Sequence, residues 1–189
     1  MQHKKRLIIG ITGSSGIILG IELLRAMQRY EDWETELIIS ESAQITMALE
    51  TPYNYEQVTK LATRSYRNDD IGANVASGTY KTEAMVIIPC SMKTVAGIAI
   101  GYSENLLLRA ADVIIKEQRK LIIVPRETPL SVIHLRNLLT LAELGVQIIP
   151  PVVAYYHKPE TITEHNQQII GRILDSLNLE YADYKRWQK

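Results

Sequence analysis

Several short strings in this 189-residue chain group small, hydroxylated and charged side chains in ways that suit chemistry on an anion. Gly13-Ser14-Ser15-Gly16 follows the apolar run Leu7–Ile11 and opens a helical pattern. Small residues let a backbone approach a ligand closely, and the N–H groups that open a helix attract phosphate. The same string also reads as a plain strand-to-helix turn. It is not the dinucleotide fingerprint: its glycines fall at 10, 13 and 16, and Ser40 stands where a ribose-binding acid is wanted, with Glu41 one place late. Nor is it a nucleophile elbow, which needs a residue between Ser15 and Gly16. Pro89-Cys90-Ser91-Met92-Lys93-Thr94 offers Ser91 and Thr94 as helix caps, or as hydroxyls that hold a second part of an anionic ligand. A thiol beside a buried strand, as Cys90 is, reads as a small core residue before it reads as a nucleophile.

Arg126-Glu127-Thr128-Pro129 sets a guanidinium beside a carboxylate just after another apolar run. An arginine there can clamp phosphate, and a glutamate raised in pKa by burial can carry a proton; each could equally pair elsewhere. Arg109, Asp112 and Lys116 are spaced by three and four and so share a helix face, which on pattern alone is an exposed salt-bridged stripe. Arg172 falls among the polar positions of a helix whose apolar side is Ile169, Ile170, Ile173, Leu174 and Leu177, and pattern leaves it solvated. Trp187 is a large ring on a polar tail, and such a ring calls for a pocket on its own or a neighbouring subunit. The histidines at 3, 134, 157 and 165 have no ligand spacing with Cys90 or with carboxylates, so no metal motif is present.

What must position these residues is an alternation of short apolar runs with helical patterns. Leu7–Ile11 reads as a strand buried on both faces, and Leu37–Ile39, Met85–Ile88 (stopped by Pro89), Leu121–Val124 and Val146–Ile149 as further strands. Helices are expected near 104–118, 130–144 and 161–177, the last with Thr161 and Glu164 as a capping box. Such alternation predicts a mostly parallel α/β sheet, with ligands at the carboxyl ends of its strands. No repeat or linker divides the chain, so residues 1–189 form one expected domain, with 178–189 a tail that docks at the site or on a neighbouring subunit. A hydrophobic share of 46% with 22% charged residues excludes disorder. The balance of 21 basic against 21 acidic residues argues against nucleic acid or an anionic membrane as partner. One cysteine excludes an intrachain disulfide and a cysteine-based zinc site. The first apolar run is too short for a signal or spanning segment, so the reading is cytoplasmic.

Several strings together resemble the UbiX family of flavin prenyltransferases, including the branch that accompanies phenolic acid decarboxylases. They are Gly10–Gly16, Leu49–Tyr53, Val75–Tyr80, Pro89–Gly101, Arg109–Lys120, Arg126–Leu130, Pro150–Tyr156 and, toward the end, Arg172, Leu174-Asp175 and Arg186-Trp187. The resemblance implies a single-domain Rossmann-like or flavodoxin-like three-layer fold. It implies transfer of a dimethylallyl group from dimethylallyl phosphate to N5 and C6 of reduced FMN, without a metal. The product, prenylated FMN, would serve a UbiD-type decarboxylase, and the protein would assemble as a homododecamer with sites between subunits. By the same resemblance Gly13, Ser14, Ser15, Ser40, Ser91, Met92, Lys93, Thr94 and Arg126 would contact FMN. Lys116, Glu127, Tyr156 and Arg172 would hold the prenyl phosphate, with Arg109, Glu50 and Trp187 lining the site. Glu127, Lys116 and Ser15 would be the catalytic groups.

The residue types suit that chemistry: cationic side chains in a dry site stabilise a departing phosphate, Glu127 could protonate it, and the rings of Tyr156 and Trp187 could face an allyl cation. Ser14 replaces the family's usual Ala, Glu41 a common Lys, and Thr79-Tyr80 a usual Ser-Phe. Two other readings share the fold, a flavin-dependent cysteine decarboxylase and a non-catalytic flavin carrier within a decarboxylase complex. The cysteine decarboxylases resemble this chain in the Gly-Ser turn but lack the blocks at 109–117 and 126–130.

Overall fold

The apolar runs at 7–11, 37–39, 85–88 and 121–124 become strands because helices cover both of their faces, whereas the run at 146–149 gives only a two-residue, half-buried strand at the sheet edge. The computed structural model describes residues 4–187, so His3 and the last two residues of the expected tail lie outside the described residues. In chain order the strands are β1 (Lys5–Ile11), β2 (Trp33–Ile39), β3 (Arg64–Arg67), β4 (Ala84–Cys90), β5 (Lys120–Pro125) and β6 (Gln147–Ile148). The helices are α1 (Ile17–Met27), α2 (Glu41–Glu50), α3 (Tyr55–Thr59), α4 (Met92–Ala99), α5 (Leu106–Lys116), α6 (Val132–Glu143) and α7 (Ile162–Ser176). The six strands pair in parallel in the order β3-β2-β1-β4-β5-β6, the doubly wound Rossmann order. The order reverses between β1 and β4. A crevice opens there because the connections leave toward opposite faces of the sheet.

The alternation of side chains along each strand divides the core in two. Leu7, Ile9, Ile11, Leu37, Ile39, Val86 and Ile88 pack with the apolar sides of α1 and α7. Ile8, Ile38, Met85, Ile87, Leu121 and Ile123 pack with α4, α5 and Leu141 of α6 on the other face. Complete burial of each such Leu or Ile is worth about 1.5–3 kcal/mol, and these paired layers hold the strand ends in fixed register beneath the crevice.

The structure departs from the sequence reading at Pro89, which does not stop its strand. β4 runs on to Cys90, with a register shift against β5 between Ile87 and Cys90. Where the ladder is irregular, the N–H that proline lacks is not required. β3, α2 and α3 were not predicted. β3 carries no apolar run, and α2 buries only Ala43 and Met47, so neither leaves a periodic hydrophobic signal. The capping box expected at Thr161 and Glu164 is present at the start of α7.

Candidate functional site

The carboxyl ends of β1, β2 and β4 deliver the small and hydroxylated residues to one place. A cleft of about 530 Å³ is lined there by Thr12, Ser40, Ser42, Asn68, Ser91, Lys93, Thr94 and Asn105 together with the acids Glu41, Asp69 and Glu104. Thr12 ties its floor together: its hydroxyl donates to the Pro89 carbonyl at 2.8 Å and accepts from the Ser91 N–H at 2.7 Å. Ser40 caps α2 by accepting from the Ala43 N–H, and Ser91 caps α4 by accepting from the Thr94 N–H. The first turns of two helices therefore face the cleft, and their N–H groups make it hospitable to an anion. Gly13 lies so close to α2 that a Cβ placed on it would stand 2.5 Å from the Ser42 hydroxyl. The enclosed Ser14 hydroxyl has no hydrogen-bond partner in the chain, which leaves it a donor for a ligand.

The N-terminus of α1 is a different matter. Gly16 adopts φ 103° there, and the Glu50 carboxylate accepts from the N–H groups of Gly16 at 2.8 Å and Ile17 at 3.3 Å. Burial pushes the pKa of Glu50 up, but hydrogen bonds from Ser15, Gly16 and Ile17 and the nearby Arg126 charge outweigh it, and the carboxyl stays below the ordinary glutamate range. The helix end that the sequence offers to phosphate is thus held by a carboxylate of the same chain. Glu50, Ser15 and Arg126 form one polar group beside it.

The other candidates fall in separate places on the chain. Arg126 and Glu127 are exposed on the loop after β5. The Arg126 N–H donates to the Cys90 carbonyl at 3.3 Å, and the Glu127 carboxylate accepts from the Thr128 N–H at 3.0 Å. On α5, Arg109 donates to Asp112 at 2.7 Å and to the Ala76 carbonyl at 3.2 Å, while Lys116 donates to Glu117 at 2.6 Å. Both cations lie against the 76–78 segment, where Gly78 leaves room for the Lys116–Glu117 pair. Met92, the first residue of α4, is buried in the core. Tyr156 and Arg172 line a second cleft of about 300 Å³ with Gln168, Val152 and Tyr184. The Trp187 ring stands edge-on to the Tyr156 ring at 5.4 Å and is still 70% exposed. The cations foreseen around one prenyl phosphate are therefore not gathered in one pocket of a single chain. Burial pushes the Cys90 thiol well up, which leaves it un-ionised as a core residue. Sequence reasoning missed Thr12, Asn68 and Asn105. Of these only Asn105 carries a readable signal, as an Asn three places before Leu108, whose N–H it caps at 3.0 Å.

A doubly wound parallel sheet with hydroxyl-capped helices around its switch point defines a protein that binds a nucleotide or flavin phosphate. The chain belongs to the flavoprotein family, whose profile matches residues 1–178, and within it to the UbiX-like flavin prenyltransferases. It is 50% identical to flavin prenyltransferase LpdB of Lactiplantibacillus plantarum over 184 residues, covering 97% of this chain and 98% of the relative. Among solved structures it matches AnUbiX in complex with FMN and dimethylallyl pyrophosphate, with a TM-score of 0.96 and 41% identity over 98% of both chains. It also matches a dodecameric FMN-dependent UbiX-like decarboxylase from Escherichia coli, with a TM-score of 0.96 and 46% identity over 97% of this chain and 100% of that one. No helix among the described residues is long and apolar enough to cross a membrane, and no group of three or more His, Cys, Asp or Glu among them could hold a metal.

Proposed function

We propose that this protein is a flavin prenyltransferase that joins the dimethylallyl group of dimethylallyl phosphate to N5 and C6 of reduced FMN. The prenylated FMN then serves a UbiD-type decarboxylase. The observation that carries the reading is the likeness along nearly the whole chain to a structure holding FMN and dimethylallyl pyrophosphate. The residues around the β1–β4 switch point fit a flavin mononucleotide: hydroxyls and helix N-termini for its phosphate, and the unpartnered Ser14 hydroxyl for its polar edge. When bound, reduced FMN supplies the nucleophilic positions that accept the prenyl group.

The chain's own residues do the rest. Ser40, Ser91, Thr94 and Lys93 bind and orient the flavin, with Gly13 and Arg126 bordering it. Arg172 and Lys116 take the charge of the departing phosphate, and Glu127 gives it a proton as general acid. Tyr156 and Trp187 present π faces to the electron-poor allyl group and exclude water from it. Ser15, hydrogen-bonded to Glu50, holds that carboxylate in place beside Arg126. Arg172 and Tyr156 lie in a different cleft from Ser91 and Lys93, and a dodecameric relative supports a site completed between subunits of a homododecamer, with the cytoplasm as its location. The exposed apolar residues Val132, Ile133, Leu135 and Leu139 of α6 supply an assembly surface.

Anaerobic incubation with reduced FMN and dimethylallyl phosphate, followed by mass spectrometry, is expected to yield flavin carrying one added prenyl unit. Turnover of a cysteine-ended peptide instead would make the protein a cysteine decarboxylase. Activation of a partner decarboxylase without prenylated product would make it a flavin carrier.

A further inference from the structure

Gln168 is a polar side chain in a helix position that otherwise calls for an apolar one. It is 7% exposed and stands directly before Ile169 and Ile170 on the buried side of α7. A buried carboxamide is costly unless its donors and acceptor are used, and here they are. Its Nε2 donates to the Tyr156 hydroxyl and, at 2.8 Å, to the Lys185 carbonyl, while its Oε1 accepts from the Lys185 N–H at 3.3 Å. The Tyr156 hydroxyl closes the triangle by donating to the Lys185 carbonyl at 3.2 Å. Two residues beyond Lys185 the chain places the Trp187 ring against the Tyr156 ring.

The rest of the tail is fitted to the same helix. A Cβ placed on Gly171 would overlap the Tyr184 side chain, so only glycine lets the tail lie this close. Arg172, one turn after Gln168, shares Asp175 with Arg186 of the tail, and those arginines, Arg186 foremost, hold the Asp175 carboxyl below its ordinary range. The tail, Tyr156 and Arg172 are therefore fixed relative to one another through α7.

We propose that Gln168 is a positioning residue for the allyl-donor side of the site, locking the Tyr156 hydroxyl and the tail so that the two rings stand beside Arg172. The proposal rests on the reading that Tyr156, Arg172 and Trp187 receive the prenyl phosphate. Gln168 touches no reacting atom and acts through Tyr156 and Lys185.

The test is a double-mutant cycle of Gln168→Leu and Tyr156→Phe in the assembled protein. It is read by KM for dimethylallyl phosphate, kcat, FMN affinity and acrylamide quenching of tryptophan, with Trp187→Ala identifying that ring's share. Gln168→Leu is expected to raise KM about five- to tenfold, the worth of one or two neutral hydrogen bonds, with FMN affinity unchanged. Quenching of Trp187 should increase without any substrate present. In the Tyr156→Phe background the KM effect should shrink, because both substitutions break the same bond. A KM within twofold of wild type, strictly additive effects, or an FMN affinity that falls in parallel would each overturn the proposal. A wild-type protein that makes no prenylated flavin would instead sink the functional reading, while the quenching result would still report whether Gln168 fixes the tail.

Discussion

Glu50 and Glu127 show how far two carboxylates of similar exposure can differ in what their surroundings ask of them. Glu50 accepts from two N–H groups at the start of α1, so its charge is wanted in the folded state. A carboxyl whose folded pKa is lowered adds stability above its ordinary value of 4.5, and that stability is lost as pH falls through the lowered value. Glu50→Gln is therefore expected to lower the unfolding free energy read by urea titration at pH 7 by about 0.3–1 kcal/mol at low salt, for an exposed helix-end charge. The gap should close at pH 3, and an equal gap at both values would remove Glu50 from this role. Glu127 has no such backbone anchor beyond its own loop. Glu127→Gln should leave FMN bound and slow product formation by roughly a hundredfold or more, as loss of a general acid does. An unchanged single-turnover rate would take it out of the mechanism. The Glu50 role was invisible to pattern reading because its partners are main-chain groups 33 and 34 positions away. Ser91 and Thr94, by contrast, are legible from their places just after an apolar run, whereas Ser40 enters only through the family resemblance.

At the level of elements, what could be read in advance followed from burial. β1, β4 and β5 have both faces covered and announce themselves as unbroken apolar runs. β3 is an edge strand of the sequence Arg-Ser-Tyr-Arg, paired to β2 and tied further by side chains: Tyr66 and Tyr80 donate to the fully buried Glu36 at 2.6 and 2.8 Å, and Arg64 joins at 3.2 Å. No local pattern predicts that. α6 has the opposite character. Its helical spacing is clear, yet only Leu141 is buried while Val132, Ile133, Leu135 and Leu139 are exposed. An apolar face of that extent is the assembly surface proposed above. Leu135→Glu with Leu139→Glu should reduce the assembly to smaller species in sedimentation velocity while the far-UV circular dichroism stays as it was. A variant with the wild-type mass would place the assembly contacts elsewhere.

The balance of 21 basic and 21 acidic residues takes its meaning from where the charges sit in the whole molecule. Much of the charge is consumed in local pairs, as in Arg109–Asp112, Lys116–Glu117 and Arg172–Asp175, and the cations proposed to hold phosphate sit on separate elements of one chain. If one site draws the Ser91–Lys93 cleft from one subunit and the Tyr156–Arg172 cleft from its neighbour, two defective chains can repair each other. Lys93→Glu sets a negative charge in the flavin cleft at an exposed position, and Arg172→Ala removes the cation of the other cleft. Each variant alone is expected to lose nearly all prenyl transfer. Co-expressed in equal amounts, they should assemble so that roughly one site in four receives both wild-type halves, by the statistics of a symmetric closed assembly. Recovery of about that share of wild-type product would make the subunit boundary part of the site. Mixed assemblies no more active than the separate variants would mean that both clefts serve one site within a single chain.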